Sequence, residues 1–368
     1  MRKLILCFLS LFLLAIPSFA QVRIGTGNVK ELYTQHCKAC HAEDLDGGLG
    51  GSLLDRESWK LVGEEQTFLE YVQAGNEASG MPAFEDVLTA PQIRALEIYI
   101  NEKREIAEKE SSQADSKGVY SSDGYKFRLE TVVEDLDIPW SIAFLPNEGF
   151  LIAERPGPIR HFEDGVLHPP VEDIPEVWAK GQGGMMEVAL HPDYKNNGWI
   201  YLGYSEAGEE KENAGMTKIV RGRIIDNIWM DEEVIFEAPE STFLSTGLHF
   251  GTRLVFKDGY LFFAIGDRGK KDNAQNLKLP NGKVHRIHDD GRVPKDNPFA
   301  DSKDAFPTIW TYGNRNPQGL DLHPVTGEIW ESEHGPRGGD EINLIERGKN
   351  YGWPEVTHGM NYSGTPIT

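Results

Sequence analysis

Residues 252–267 read TRLVFKDGYLFFAIGD. An apolar strand, a turn, a second apolar strand and a closing acidic residue follow one another. The same unit returns as SIAFLPNEGFLIAE from Ser141, as EVALHPDYKNNGWIYLGYSE from Glu187 and as GLDLHPVTGEIWESE from Gly319. The first strands stand near positions 142, 188, 253 and 320, a repeat of roughly 45 to 67 residues with insertions. Repeated β-meanders of this kind predict a β-propeller in which each copy is one blade. The competing architecture is a β-sandwich, in which four matched hairpins would be accidental.

Upstream the periodicity changes. Across residues 21–103, GNVKELYTQHC places Val29, Leu32, Tyr33 and His36 at helical spacing. LTAPQIRALEIYINEKRE has Thr89 as an N-cap, Pro91 in the first turn and an apolar stripe of Ile93, Leu96 and Ile100. Two helices around glycine-rich turns predict a small all-α domain. Residues 104–122, REIAEKESSQADSKGVYSS, are polar and predict a linker, with the preceding helix able to continue into its start. Residues 123–368 carry the strands, so the expected fold class is multidomain: an all-α unit, then an all-β propeller.

The chain has 368 residues, 39% hydrophobic and 26% charged, with a net charge of -21. That acidity argues against nucleic acid, whose phosphates would be repelled, and allows a cationic redox partner. The N-terminus MRKLILCFLSLFLLAIPSFA combines Arg2 and Lys3, an apolar run from Leu4 to Ile16, and a small-x-small site at Ser18-Phe19-Ala20. It predicts a cleaved signal peptide over 1–20 and an exported, periplasmic protein with no later membrane span. An uncleaved anchor is the other reading, against which the apolar run is short.

Cys7 leaves with the signal, so two of the three cysteines remain. They lie in HCKACH, residues 36–41. Thiols at Cys37 and Cys40 with His41 directly after them are what covalent haem attachment needs, the imidazole serving as an iron ligand. A disulfide or a redox-active Cys-x-x-Cys is the alternative. Met81, in SGMPAF forty residues after the histidine, supplies the second axial ligand, with His36 as a competitor. This pair of motifs resembles a class I cytochrome c domain over 29–103.

The strand repeats carry a second constellation. His249 in GLHFGTRL precedes Asp267 in AIGDRG by one strand-turn-strand hairpin, so both can reach one end of a blade. A histidine oriented by a carboxylate is a general base. Arg315 and Asn316 are planar donors suited to an anionic or carbonyl-rich ligand. EHGPRGGDE sets Gly335 and Pro336 in a turn expected to be exposed, with carbonyls that could face a hard cation. Glu341 and the Tyr351 carbonyl add further oxygens, and oxygen donors suit calcium.

Together the stretches PWSIAFLP, GQGGMMEVALHPDY, HFGTRL, GDRG, NRNPQGLDLHP and HGPRGGDEINLIERGKNYGWP resemble the soluble glucose and aldose sugar dehydrogenases that use pyrroloquinoline quinone (PQQ). The resemblance covers 123–368. It implies a six-bladed propeller with PQQ on its axis held by calcium, and His249 as proton acceptor with Asp267 as its partner. It further implies Gln182 against sugar or cofactor, Arg315 and Asn316 on PQQ, and Gly335 and Pro336 carbonyls on the calcium beside PQQ. Glu341 and Tyr351 match a second, structural calcium site. The implied reaction oxidises an aldose at C1 to a lactone, with electrons passing from PQQ to haem c and on to a downstream acceptor such as a cytochrome or respiratory-chain component.

Two departures stand out. The chain ends at GMNYSGTPIT after four clear repeats, so a six-bladed ring would be unclosed, the basic residues that clamp the PQQ carboxylates have no counterpart, and a C-terminally truncated chain is expected. Position 248 is Leu where some relatives carry an acidic residue. The alternatives are a calcium-dependent propeller lactonase and a non-catalytic sugar-binding propeller with an electron-carrier domain. The first needs no Arg-Asn pair or cytochrome, and the second needs no base.

Overall fold

The Asn28 side chain accepts from the Lys30 backbone N–H and opens α1 (Val29–His36), which runs into a short α2 (Lys38–His41). The computed structural model describes residues 28–55, 67–111, 118–122, 124–211 and 213–367, and the leader at 1–20 lies outside them. Thr67 and Glu70 form a reciprocal capping box that starts α3 (Phe68–Ala74). Thr89 and Gln92 do the same for α4 (Ala90–Ser111), so the expected cap stands where the sequence places it. Val29, Leu32 and Tyr33 of α1 pack with Val72 of α3 and with Ile93, Leu96, Tyr99 and Ile100 of α4. Burying an Ile or Leu contributes about 1.5–3 kcal/mol each, enough to hold the short α1 and α3 against α4.

The expected linker over 104–122 is corrected at its C-terminal end, while its start is taken up by the continuing helix, as the sequence allowed. Residues 104–111 complete α4, because this run is rich in helix-forming Glu, Lys, Arg and Ala and because Arg104 is anchored: its Nη2 donates to the Leu53 carbonyl at 2.9 Å. Residues 119–122 form β1 (Val119–Ser122), paired antiparallel with β2 (Tyr125–Arg128).

The four repeats become four antiparallel sheets, each a simple meander. The first holds β3 (Pro139–Phe144), β4 (Phe150–Glu154), β5 (Ile159–Glu163) and β6 (Val166–Leu167). The second holds β7 (Met185–Leu190), β8 (Ile200–Ala207), β9 (Gly215–Ile225) and β10 (Ile228–Phe236), with the single-turn α5 (Tyr194–Asn197) between its first two strands. β11 (Leu254–Lys257), β12 (Tyr260–Ile265), β13 (Lys283–His288) and β14 (Ile309–Tyr312) make the third. The fourth has β15 (Pro317–Leu322), β16 (Ile329–Glu333) and β17 (Glu341–Leu344).

Each sheet packs face to face on the next. Leu151, Ala153 and Ile159 meet Val188, Leu202 and Val220 between the first two. Tyr201, Ile219 and Phe236 meet Leu261, Phe263 and Ile287 between the second and third. Val255, Phe262 and Val284 meet Leu320 and Ile329 between the third and fourth. Side chains alternate across a strand, so Leu202 of β8 enters one layer and Tyr201 the next. Inner strands buried on both faces explain the near-continuous apolar runs that marked the repeat. This is the propeller arrangement. Trp140, Ile142 and Phe144 on the first sheet remain exposed.

The segment after the fourth sheet returns to the helical unit. Val29 N–H donates to the Gly364 carbonyl at 2.9 Å, Met360 is buried in the helical core, and an added Cβ on Gly338 would stand 2.3 Å from Ile98. Arg337 binds both carboxylate oxygens of Glu102 on α4, at 2.7 and 2.5 Å.

Candidate active site

β12 ends at Ile265 and the chain turns through Gly266 to Asp267. A Cβ on Gly266 would stand 2.3 Å from the His249 carbonyl oxygen, so glycine is what lets the two ends of this hairpin close. His249 Nδ1 then lies 2.7 Å from Asp267 Oδ1. A carboxylate only accepts, so Nδ1 carries the proton and Nε2 presents a lone pair. Asp267 is 1% exposed, and donors surround it: Gly269 N–H gives to Oδ1 at 2.7 Å and Trp353 Nε1 gives to Oδ2 at 2.8 Å.

Three sheets meet here. Gln182, just before β7, accepts from the His249 backbone N–H at 2.7 Å through Oε1. Asn316, just before β15, accepts from Gly251 N–H at 3.3 Å through Oδ1. Asp267 N–H donates to the Arg315 carbonyl at 2.7 Å. The Arg315 guanidinium donates to the His334 carbonyl at 2.7 Å and lies 5.4 Å from the Trp353 ring and 6.0 Å from Tyr362. Glu333 accepts from the backbone N–H groups of both Arg315 and Asn316. Among the described residues, Arg315 Nη2, Asn316 Nδ2 and Gln182 Nε2 have no hydrogen-bonded acceptor. Those spare donors are the chemistry a polycarboxylate quinone requires, so the residues present fit PQQ.

The Gly335–Pro336 turn is buried rather than exposed, which corrects the expectation. A Cβ on Gly335 would fall 1.7 Å from the Gly339 carbonyl, and Pro336 packs against Gly359. Gly335 N–H donates to Asp340 Oδ1 at 2.9 Å, while the Pro336 carbonyl accepts from Gly339 N–H at 2.8 Å and keeps a second lone pair. Glu341 stands elsewhere, opposite Glu333 across β16 and β17. Asn343 Nδ2 bridges Glu331 at 3.1 Å and Glu341 at 3.3 Å. Burial pushes Glu331 up to about 8, and burial together with the neighbouring Glu331 charge holds Glu333 well above the usual carboxylate range. Glu331 Oε1 is buried with no hydrogen-bond partner among the described residues. An orphaned carboxylate oxygen beside Glu341 fits a hard cation there. The Tyr351 hydroxyl donates to the Leu344 carbonyl at the end of β17.

In the helical unit Cys37 and Cys40 are both free thiols, bracketing one turn. Burial pushes the Cys37 thiol up to about 11. The Gly51 carbonyl holds His41 Nδ1 at 2.9 Å, which leaves Nε2 for iron. A Cβ on Gly50 would stand 2.7 Å from the His41 ring. Cys37 and Met81 pack against the same apolar core, while His36 stands edge-on to Phe84 with centroids 6.3 Å apart. Two thiols, one ring nitrogen and a thioether beside an apolar core fit haem c.

Residues 136–368 match the model of the Glucose / Sorbosone dehydrogenase family. The chain belongs to that family. Residues 26–100 match the model of "Cytochrome C oxidase, cbb3-type, subunit III", so this member of the family carries a cytochrome c-type domain in front. The aldose sugar dehydrogenase YliI of Escherichia coli is 46% identical over 244 residues, 65% of this chain and 65% of the relative. Quinoprotein glucose dehydrogenase B of Acinetobacter calcoaceticus is 33% identical over 65% of this chain and 54% of the relative. The chain thus spans under two thirds of the length of these relatives. Among solved structures, the apo-form soluble aldose sugar dehydrogenase of E. coli superposes with a TM-score of 0.60 at 46% identity, covering 63% of this chain and 67% of that one. The PQQ-bound aldose sugar dehydrogenase of Streptomyces coelicolor gives 0.54 at 27% identity, covering 65% and 68%.

Within this family member, sequence reading missed Trp353, Arg268 and Glu331. Arg268 is wholly buried against the Phe250 ring and donates to the Thr246 and Leu248 carbonyls, which pins the loop that presents His249. Its signal was its place beside Asp267 in GDRG. Trp353 lay in YGWP with nothing to tie it to Asp267.

Proposed function

We propose that this protein is an exported quinohaemoprotein that oxidises an aldose at C1 to its lactone and passes the electrons to its own haem c. The observation that carries the reading is the Trp353–Asp267–His249 chain, with a free imidazole Nε2 beside the spare donors of Arg315, Asn316 and Gln182. His249 Nε2 takes the proton of the C1 hydroxyl, and Asp267 stabilises the imidazolium that forms. Arg315, Asn316 and Gln182 orient the quinone and the sugar against that base. Bound PQQ supplies a two-electron acceptor, and haem c on Cys37, Cys40, His41 and Met81 supplies a one-electron carrier. The Gly335 and Pro336 carbonyls would hold a calcium ion that supplies positive charge, and Glu341 and Tyr351, beside Glu331, would hold a second that braces the fourth sheet.

The segment 337–364 supports the haem step, since it joins the Gly335–Pro336 turn directly to α4 of the cytochrome unit. Export rests on the leader. No helix among the described residues is long and apolar enough to cross a membrane.

The test is dye reduction by a panel of aldoses, with and without added PQQ and calcium. Activity that requires both is expected. His249→Ala lowers it by about 10²–10⁴-fold and leaves the haem spectrum intact. Inactivity of the loaded protein across the panel overturns the reading.

A further inference from the structure

The hairpin at the outer edge of the first sheet reads HFEDGVLH, residues 161–168. Asp164 and Gly165 have φ of 50° and 78°, the pair of positive values that a two-residue primed turn needs. That turn fixes the register: Glu163 pairs with Val166 and Phe162 with Leu167, and His168 N–H donates to the His161 carbonyl at 2.9 Å. His161 and Glu163 are two apart on one strand and therefore share a face, and His168 stands directly across from His161. The two imidazoles stack with centroids 5.1 Å apart, and His161 Nε2 lies 3.7 Å from Glu163 Oε2. One ligating atom from each of the three lies within 4.8 Å of the others.

Two details distinguish this cluster from an incidental group of polar residues. Among the described residues His161 Nε2 is buried with no hydrogen-bond partner, which is costly for a ring nitrogen unless something binds it. The other Glu163 oxygen accepts from Asn147 Nδ2, so the carboxylate is oriented by a supporting donor as metal-bound carboxylates are. Arg160, the neighbouring cation, is held by the Glu154 carboxylate and the His168 backbone carbonyl and makes no hydrogen bond to the three ligating side chains.

We propose that His161, Glu163 and His168 bind a late first-row divalent cation, zinc first among them. Two imidazoles and one carboxylate are a zinc ligand set, and they disfavour calcium and magnesium, which prefer oxygen alone. Zinc–ligand bonds of about 2.0–2.1 Å place tetrahedral donors about 3.4 Å apart, within reach of small side-chain rotations from the observed spacing. Three protein ligands leave a fourth position for water or an external donor. The site is separate from the sugar centre, and its effect is to clamp the last two strands of the first sheet.

Haem-loaded protein in excess calcium, freed of other metals, is titrated with zinc against a chromogenic chelator. Wild type is expected to take up one equivalent more than His161→Ala/His168→Ala, and Glu163→Gln, which changes no shape, is expected to bind at least tenfold more weakly. Cobalt in place of zinc should give a visible d–d band in wild type that both variants lose. An unchanged haem spectrum and far-ultraviolet dichroism show that the variants are folded. Equal zinc uptake and affinity in wild type and Glu163→Gln, with no cobalt band, overturns the proposal.

Discussion

Single residues set the chemistry through what they leave unpaired. His249 has one nitrogen committed to Asp267 and one without a partner among the described residues, and Trp353 holds the far oxygen of the same carboxylate at 2.8 Å. Trp353→Phe keeps the packing and removes that donor. It is expected to lower kcat for sugar oxidation by about tenfold with little change in KM, and to shift the pH profile, because the imidazole loses part of its orientation. His285 is the opposite case, a fully satisfied histidine. Its ring stacks on Phe263 at 4.9 Å, and its nitrogens meet Thr308 Oγ1 and the Pro280 carbonyl, both at 2.8 Å. Burial holds it down to about 3, against about 6.5 in an unfolded chain. Between those values the unfolded state binds the extra proton, so this contribution is present above pH 6.5 and is lost as pH falls toward 3. His285→Phe should melt lower at pH 7, by about 1–3 kcal/mol for the unpaired groups, yet show a shallower loss of Tm on acidification.

Elements bring these residues within reach. The hairpin β11–β12 carries both His249 and Asp267 on its flanks, and their spacing of 18 residues was enough to expect them together. The closure itself depends on Gly266, whose missing side chain lets the His249 carbonyl approach. Gly266→Ala places a methyl group 2.3 Å from that oxygen. It is expected to cost about 1–3 kcal/mol in thermal unfolding and to reduce sugar oxidation at least as far as Trp353→Phe does, since the loop that holds the base must move. The helical unit was equally legible: the Thr89 cap and the Ile93, Leu96 and Ile100 stripe stand as read, because both signals lie within one helix. The linker boundary was less so. Polar composition looks alike in a connection and in the solvated end of a helix, and only the Arg104 anchor to Leu53 separates the two.

At the scale of the whole molecule, the segment after the fourth sheet ties the propeller to the cytochrome unit. The Arg337–Glu102 pair is partly exposed, so its worth is about 0.5–1 kcal/mol. Glu102→Gln should slow sugar-driven haem reduction by about twofold to fivefold while direct dye reduction at the sugar site stays unchanged, a difference stopped-flow absorbance can read. The sequence by itself determined the two-part organisation, the four strand repeats, the covalent-haem motif and the His249–Asp267 pairing, because each is written within one element or one hairpin. Only the tertiary structure decided the rest. Gln182 meets His249 across 67 positions, Trp353 meets Asp267 across 86 and Arg337 meets Glu102 across 235, and no periodicity spans such distances. The Gly335–Pro336 turn is buried in part for the same reason: Gly359, well beyond it in the chain, packs on Pro336, and packing between separate segments leaves no mark in local spacing.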